Sequence, residues 1–131
     1  MLETILCIDD DPITLMLCKM VIKKALFSNE IATAKNGEEA IKHFDNLKTN
    51  HSINKPQLIF LDLNMPVMNG WEFLERFITE EYSEYHDTKV IILSSTIDPQ
   101  DLEKSKKYPM VIDFLSKPIS KEMLEFLKNK I

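Results

Sequence analysis

The sequence contains little glycine, little cysteine and no long apolar run. Two glycines and two cysteines among 131 residues exclude a collagen-like chain, a glycine-rich linker and a disulfide scaffold. No apolar run approaches the roughly 20 residues that a transmembrane helix needs. The first residues show no basic segment followed by an apolar stretch, as a secretory signal would. We therefore expect a cytoplasmic protein with no membrane insertion.

Basic residues are also fewer than acidic residues. Sixteen Lys and Arg residues face 21 Asp and Glu residues, for a net charge of −5, which argues against direct nucleic-acid binding. Cys7 and Cys18 lack the spacing of a metal site, and we expect them to be reduced and buried. The length and the balance of 44% hydrophobic and 28% charged residues predict one globular domain over residues 1–131.

The sequence does contain short apolar runs that end in polar residues. Such runs are typical of strands buried on both faces of a parallel sheet. The runs are residues 4–8 before Asp9, 58–61 before Asp62, 90–93 before Ser94, and 111–116 before Lys117. A less apolar run at residues 30–34 predicts one further strand. Helical patterns alternate with these strands, which predicts an α/β fold with helices on both faces of a parallel sheet.

Two of the predicted helices allow more detailed expectations. Asp11 and Pro12 are suited to cap and begin the first helix. Its inward stripe is predicted to be Ile13, Met16, Leu17, Met20 and Val21, which repeat at intervals of three and four. The fourth helix has Leu102 as its only strong apolar anchor, so we expect it to be the least firmly docked.

The polar residues at the strand ends predict a metal site. In a parallel sheet the carboxyl ends of the strands share one edge, where ligands bind. Asp9, Asp10 and Asp62 would crowd together there, and their mutual repulsion would call for a cation. Mg²⁺ suits this set, because it takes one or two carboxylates together with other oxygen ligands. A backbone carbonyl from the loop after Asp62 would be a further ligand.

Ser94 and Lys117 add a hydroxyl donor and an ammonium group to the same edge. Beside a metal-bound carboxylate, these two groups match the oxygens of a phosphoryl group. Phosphoryl transfer asks a protein mainly for positioning and charge neutralisation. The residue types therefore predict Mg²⁺-dependent phosphoryl chemistry at this edge.

Four segments, read in order, resemble the receiver domain of two-component response regulators. They are residues 7–12, 61–70, 92–95 and 114–118, and the resemblance covers roughly residues 4–128. It implies a flavodoxin-like (βα)5 three-layer sandwich with a five-stranded parallel sheet of order 2-1-3-4-5. It also implies a stand-alone receiver over residues 1–131, with no output domain.

The resemblance assigns roles to the site residues. Asp62 would be the phosphoacceptor, receiving the group from a sensor histidine kinase or a histidine phosphotransfer protein. Asp10, Asp62 and the backbone carbonyl of Asn64 would bind Mg²⁺, with Asp9 acting through water. The protein would be a phosphoacceptor that assists its own phosphorylation and dephosphorylation, and not an enzyme.

The resemblance also implies a switch. Ser94 and Lys117 would contact the phosphoryl oxygens, and Phe114 would turn inward behind Ser94. Phe114 stands where a tyrosine is commonest in the family, so the hydroxyl that reports the switch is missing. Output would pass through phosphorylation-dependent contact with a downstream protein target, or through a phosphorylation-dependent dimer.

Two other interpretations stay open at the level of sequence. One is a haloacid-dehalogenase-type phosphatase with Asp9 as nucleophile, since Asp9 and Asp11 match that family's Asp-x-Asp. It would need a further acidic pair after Lys117 and would leave Asp62 unexplained. The other is a pseudo-receiver that binds partners without being phosphorylated.

Overall fold

The computed structural model describes residues 2–131 as alternating strands and helices. The strands are β1 (Leu2–Ile8), β2 (Ser28–Ala34), β3 (Leu58–Leu61), β4 (Lys89–Ser94) and β5 (Val111–Ser116). The helices are α1 (Pro12–Lys24), α2 (Gly37–Thr49), α3 (Gly70–Phe77), α4 (Pro99–Ser105) and α5 (Lys121–Lys128). A 3₁₀ helix over Glu80–Tyr85 precedes β4. None of these helices is both long enough and apolar enough to cross a membrane.

The five strands form one parallel sheet in the order β2-β1-β3-β4-β5. This confirms the flavodoxin-like three-layer architecture. Successive side chains of a strand point to opposite faces, and the core divides accordingly. Leu6 and Ile8 of β1 pack with α2 and α3. Ile5 and Cys7 pack with α1 and α5 on the other face.

Side-chain caps fix where the helices begin. The Asp11 side chain accepts a hydrogen bond from the Ile13 backbone N–H at 3.0 Å, with Pro12 in the first helical position. Asp98 caps α4 in the same way, again followed by proline. A capped first turn satisfies backbone donors that have no partner inside the helix. The predicted role of Asp11 as a capping residue is confirmed.

The inward face predicted for α1 is wrong at four of its five residues; the fifth, Val21, is half-buried and packs against the core. Ile13, Met16, Leu17 and Met20 are 69%, 57%, 37% and 60% exposed, and the buried residues of α1 are Cys18 and Ile22. Apolar residues occupy most of the circumference of α1, so its periodicity is compatible with more than one inward stripe. The small Cys18 and the branched Ile22 fit the close approach to the sheet, which leaves the larger stripe outside.

Other core predictions are mostly confirmed. Cys7 and Cys18 are free and buried. Helix α4 buries only Ser105, so it is weakly docked as expected, although its predicted anchor Leu102 is exposed. Phe126 of α5 is also exposed, because α5 presents only Leu124 and Leu127 fully to the sheet.

Val67 is a strained position in the loop between β3 and α3. Its φ of 74° lies in the left-handed region, which a β-branched residue rarely adopts. Its side chain is 76% exposed, so little burial offsets the strain. We expect Val67→Asn to raise the free energy of unfolding by about 1 kcal/mol, because asparagine tolerates this backbone region better.

Urea unfolding of the Val67→Asn protein measures this effect. The control is Ile53→Asn, which removes another apolar side chain, 93% exposed, from a residue without positive φ. That control should change stability by no more than about 0.5 kcal/mol. An equal gain in both variants would show that removal of exposed apolar surface, and not backbone strain, was responsible.

Candidate metal-binding and phosphoacceptor site

The sheet brings together the polar residues that follow four different strands. Asp9 follows β1, Asp62 follows β3, Ser94 ends β4, and Lys117 follows β5. The strand register aligns these ends, since Ile8 pairs with Leu61 and Ser94 pairs with Ser116. The structure therefore places these predicted site residues along one rim.

Main-chain hydrogen bonds hold this rim in place. The backbone N–H of Asp9 donates to Ala34 O at 3.0 Å, and that of Asp62 donates to Ile8 O at 2.9 Å. The Lys117 N–H donates to Ser94 O at 2.7 Å, and the Lys117–Pro118 peptide bond is cis. Hydrogen bonds to neighbouring strands therefore fix the backbone positions of Asp9, Asp62 and Lys117.

The carboxylates of Asp9, Asp10 and Asp62 form one cluster. One oxygen from each lies within 4.8 Å of the other two. Asp9 and Asp62 are 4% and 6% exposed, while Asp10 is exposed to solvent. An all-oxygen donor set with one open side fits Mg²⁺, which keeps several waters and binds through few carboxylates.

Lys117 is the cation of this cluster. Its Nζ lies 2.7 Å from Asp9 Oδ2 and 3.7 Å from Asp62 Oδ2. The sequence placed Lys117 at the phosphoryl oxygens but did not indicate that Asp9 would be its nearest partner in the absence of a phosphoryl group. Because Lys117 lies farther from Asp62 than from Asp9, it neutralises less of the negative charge of Asp62.

The pKa values of Asp62 and Lys117 reflect this arrangement. Burial raises the pKa of Asp62, and the Asp9 carboxylate raises it further, although Lys117 and the Asn64 N–H act in the opposite direction. Burial by itself would lower the pKa of Lys117. Its hydrogen bond to Asp9 and the negative charges of Asp9 and Asp62 outweigh burial, so the pKa of Lys117 is raised.

The shift at Asp62 predicts a pH dependence of stability. An acid with a raised pKa binds its proton more readily in the folded protein, so stability falls as the pH rises from the ordinary value of 3.8 through the raised pKa. In the absence of divalent ions, Asp62→Asn should therefore be more stable than wild type at neutral pH. This advantage should shrink as the pH is lowered toward 3.8.

Urea unfolding over this pH range tests the expectation, with Asp11→Asn as the matched control. Hydrogen bonds from Ile13 and Thr14 lower the pKa of Asp11, so its ionised form favours folding. The control should be less stable than wild type at neutral pH, a change of opposite sign. The same sign in both variants would contradict the assigned environments.

The other predicted site residues are Asn64, Ser94 and Phe114. The Asn64 backbone N–H lies 3.4 Å from Asp62 Oδ1, which it approaches as a donor. Ser94 is buried at the end of its strand. Phe114 is buried against Leu63 and Ile92, in the layer behind the site.

The start of α3 packs tightly against the segment that carries Asp62. A Cβ atom added to Gly70 would lie 2.5 Å from the Asp62 carbonyl oxygen and 2.9 Å from Leu63 Cα. Only glycine permits this approach. The conformation of the loop after Asp62 therefore depends on Gly70.

Sequence reasoning missed two features near the rim. The first is the exposed apolar face of α1, which begins immediately after Asp11. The sequence could have indicated this face, because α1 contains more apolar residues than one inward stripe requires. The second is the contact of Lys104 with the Trp71 ring. The sequence carries no signal for this contact, because the two residues belong to different helices.

Comparison with known proteins agrees with this geometry. A relative from Bacillus subtilis, a protein-glutamate methylesterase/protein-glutamine glutaminase, is 36% identical over 106 residues, which is 76% of this chain and 25% of that protein. The nitrate/nitrite response regulator protein NarL of Escherichia coli is 33% identical over 104 residues, which is 79% of this chain and 43% of that protein. The chain thus spans less than half the length of these curated relatives.

Solved structures and a family model extend the match to nearly the whole chain. A two-component response regulator from Cytophaga hutchinsonii superposes with a TM-score of 0.89 and 32% identity, over 98% of this chain and 96% of that one. The family model described as "Response regulator receiver domain" matches residues 5–127. The family predicted from the four sequence segments is thereby confirmed: the chain belongs to the response regulator receiver domains.

Proposed function

We propose that Asp62 accepts a phosphoryl group from the phosphohistidine of a sensor histidine kinase or a histidine phosphotransfer protein. The observation that carries this proposal is the position of Asp62 at the end of β3, in a carboxylate cluster that faces Lys117. Signalling would then proceed through phosphorylation-dependent protein contact. That residues 1–131 act in the cytoplasm as a stand-alone receiver, and not as an enzyme, is part of the proposal.

The residues at the rim divide the chemistry between them. An Asp62 carboxylate oxygen forms the bond to phosphorus while the phosphorus–nitrogen bond of the donor histidine breaks, and the bonding pair stays on the histidine nitrogen. Lys117, 3.7 Å from Asp62 Oδ2, is near enough to pair with a phosphoryl oxygen once one is present. Ser94 supplies a hydroxyl from the neighbouring strand. Positioning and charge neutralisation of this kind account for most of the catalysis of phosphoryl transfer.

The proposed metal ligands are Asp10, Asp62 and the backbone carbonyl of Asn64, with Asp9 acting through water. When bound, Mg²⁺ would neutralise charge on the transferring phosphoryl group. The fit rests on three carboxylate oxygens within 4.8 Å of one another. Lys117 offsets part of their repulsion in the metal-free protein, since its Nζ lies 2.7 Å from Asp9.

The sequence left two other interpretations open, a phosphatase and a pseudo-receiver. Membership in the receiver family removes the support for a haloacid-dehalogenase-type phosphatase. A pseudo-receiver would share the fold, so the distinction depends on chemistry. Intact-mass measurement after incubation with acetyl phosphate and Mg²⁺ should show one added phosphoryl group, and EDTA should prevent the addition. An unchanged mass under both conditions would favour the pseudo-receiver.

The exposed face of α1 is the surface that best fits the phosphohistidine donor. It consists of Ile13, Met16, Leu17 and Met20, and it starts one turn from the carboxylate cluster. Contiguous exposed apolar side chains often mark protein-interaction sites, and methionine adapts well to a partner surface. A donor docked here would present its phosphohistidine to Asp62.

We expect Met16→Gln to slow phosphoryl transfer from a phosphorylated histidine phosphotransfer protein by about tenfold, as loss of a central interface side chain does. Labelling by acetyl phosphate, which needs no docking surface, should be unchanged. Leu102→Gln is the control, because it removes an exposed apolar side chain from α4. Equal slowing by both variants, or slower labelling by acetyl phosphate, would contradict donor docking on α1.

The output is proposed to be contact with a downstream protein target. A phosphorylation-dependent dimer is the alternative form of output. Light scattering of the protein with and without acetyl phosphate and Mg²⁺ distinguishes them. A doubled mass on phosphorylation would favour the dimer, and an unchanged mass would favour a separate target.

A further inference from the structure

Trp71 connects the layer behind the phosphoacceptor site to α4. It is the only tryptophan of the chain and the second residue of α3. On its inner side the half-buried ring packs against the cluster of Leu63, Ile92 and Phe114. This cluster lies directly beneath the site, since Leu63 follows Asp62 in the chain.

Trp71 also contacts Lys104 in the last turn of α4 and Tyr108 in the loop that follows α4. The Tyr108 ring stacks on it with a centroid separation of 5.9 Å and an interplanar angle of 28°. Lys104 Nζ lies over the indole, 4.7 Å from its centroid. A cation at this distance is attracted to the negative face of the ring, and tryptophan is the best aromatic partner for it.

Helix α4 has few other attachments. It is seven residues long and buries only Ser105. Leu102, its sole large apolar side chain, is exposed, as is Ile97 in the loop before it. The contacts of Lys104 and Tyr108 with Trp71 are therefore a large part of what holds this segment against α3.

We propose that Trp71, through its contacts with Lys104 and Tyr108, is the latch that keeps α4 docked until Phe114 moves. The inference rests on the proposed phosphorylation of Asp62. A shift of Phe114 on activation would change the cluster of Leu63, Ile92 and Phe114 against which Trp71 packs. The indole would then leave its position under Lys104, and α4 would be released for contact with the downstream protein. This gives the phenylalanine a route of output that does not need a tyrosine hydroxyl.

Lys104→Met tests the latch at a half-buried lysine outside the carboxylate cluster. It removes the charge over Trp71 and keeps the side-chain length. Amide hydrogen exchange in α4 of the resting variant should be about two- to fivefold faster than in wild type, the ratio that an exposed cation–π contact predicts. Activation by Mg²⁺ and beryllofluoride should then increase the exchange rate of α4 by a smaller factor in the variant than in wild type.

Lys104→Arg, which keeps a cation over the ring, should behave like wild type. So should Lys107→Met, which removes an exposed lysine three residues away. The fluorescence of Trp71 reports the same event: activation should change it in wild type, and Lys104→Met should shift it toward the activated spectrum without any phosphoryl analogue.

The outcomes separate this inference from the proposed function. If the mass shows phosphorylation by acetyl phosphate while activation changes neither Trp71 fluorescence nor α4 exchange, the latch is overturned and the phosphoacceptor stands. Wild-type behaviour of Lys104→Met would overturn it equally. If no phosphoryl mass is gained, the proposed function fails and the latch fails with it.

Discussion

Asp62→Asn should gain no phosphoryl mass from acetyl phosphate and Mg²⁺, whereas wild type gains one. Asp62 is buried at 6% exposure at the end of β3 and shares its cluster with Asp9 and Asp10. An asparagine side chain has the same shape but no anionic oxygen to bond to phosphorus. The loss should therefore be complete, and not the partial loss expected when a positioning residue is changed.

Asp11→Asn is the control for this experiment. It removes a carboxylate from the loop between β1 and α1, which also carries Asp9 and Asp10. The Asp11 carboxylate is exposed and caps α1. We expect its labelling to match wild type. Labelling of Asp62→Asn at the wild-type level would refute the assignment, and mapping of the phosphoryl group to Asp9 would revive the phosphatase interpretation.

Lys117→Met should lower the free energy of unfolding by about 2–3 kcal/mol at neutral pH without divalent ions. The change leaves two buried carboxylates without their cation, and breaking a buried ion pair from one side is costly. Lys117 keeps 17% of its side chain exposed, which places the effect below that of a fully buried pair. Because the pKa of Lys117 is raised, its contribution is fully present from neutral pH up to its ordinary value of 10.5 and is lost as the pH rises through the raised pKa.

Mg²⁺ should restore much of the stability that Lys117→Met loses. A divalent ion bound to the carboxylates replaces the missing charge, and a ligand that binds only the folded state stabilises it. Lys130→Met is the control, since it breaks a more exposed pair with Asp113 and should cost at most about 1 kcal/mol with no Mg²⁺ dependence. Equal losses in the two variants, or a deficit at Lys117 that Mg²⁺ does not reduce, would contradict the assigned role.

The site was predictable from the sequence because it depends on strand ends. Asp9, Asp62, Ser94 and Lys117 each mark the point where a strand stops, and parallel strands place such points on one edge whatever the loops do. The order 2-1-3-4-5 was not derivable in this way. It came from the family resemblance, since alternation of strands and helices is compatible with several orders.

The inward faces of amphipathic helices were predictable only where the apolar stripe was unique. Helix α2 has one such stripe, and its residues Ala40, Ile41 and Phe44 are buried. Helix α1 has apolar residues on most sides, so periodicity could not choose between Met16 and Cys18 as the inward position. In the structure the smaller Cys18 side chain faces the sheet, and the larger Met16 side chain is exposed on the outer surface of α1.

The amino-acid sequence by itself determined the elements, their caps and the chemical groups at each strand end, because these follow from local periodicity and residue type. The tertiary structure decided that Lys117 pairs with Asp9, that the apolar stripe of α1 faces outward and that Lys104 lies over Trp71. Each of these is a contact between residues distant in the chain. Such contacts depend on how helices and loops pack against the sheet, and no local pattern records that packing.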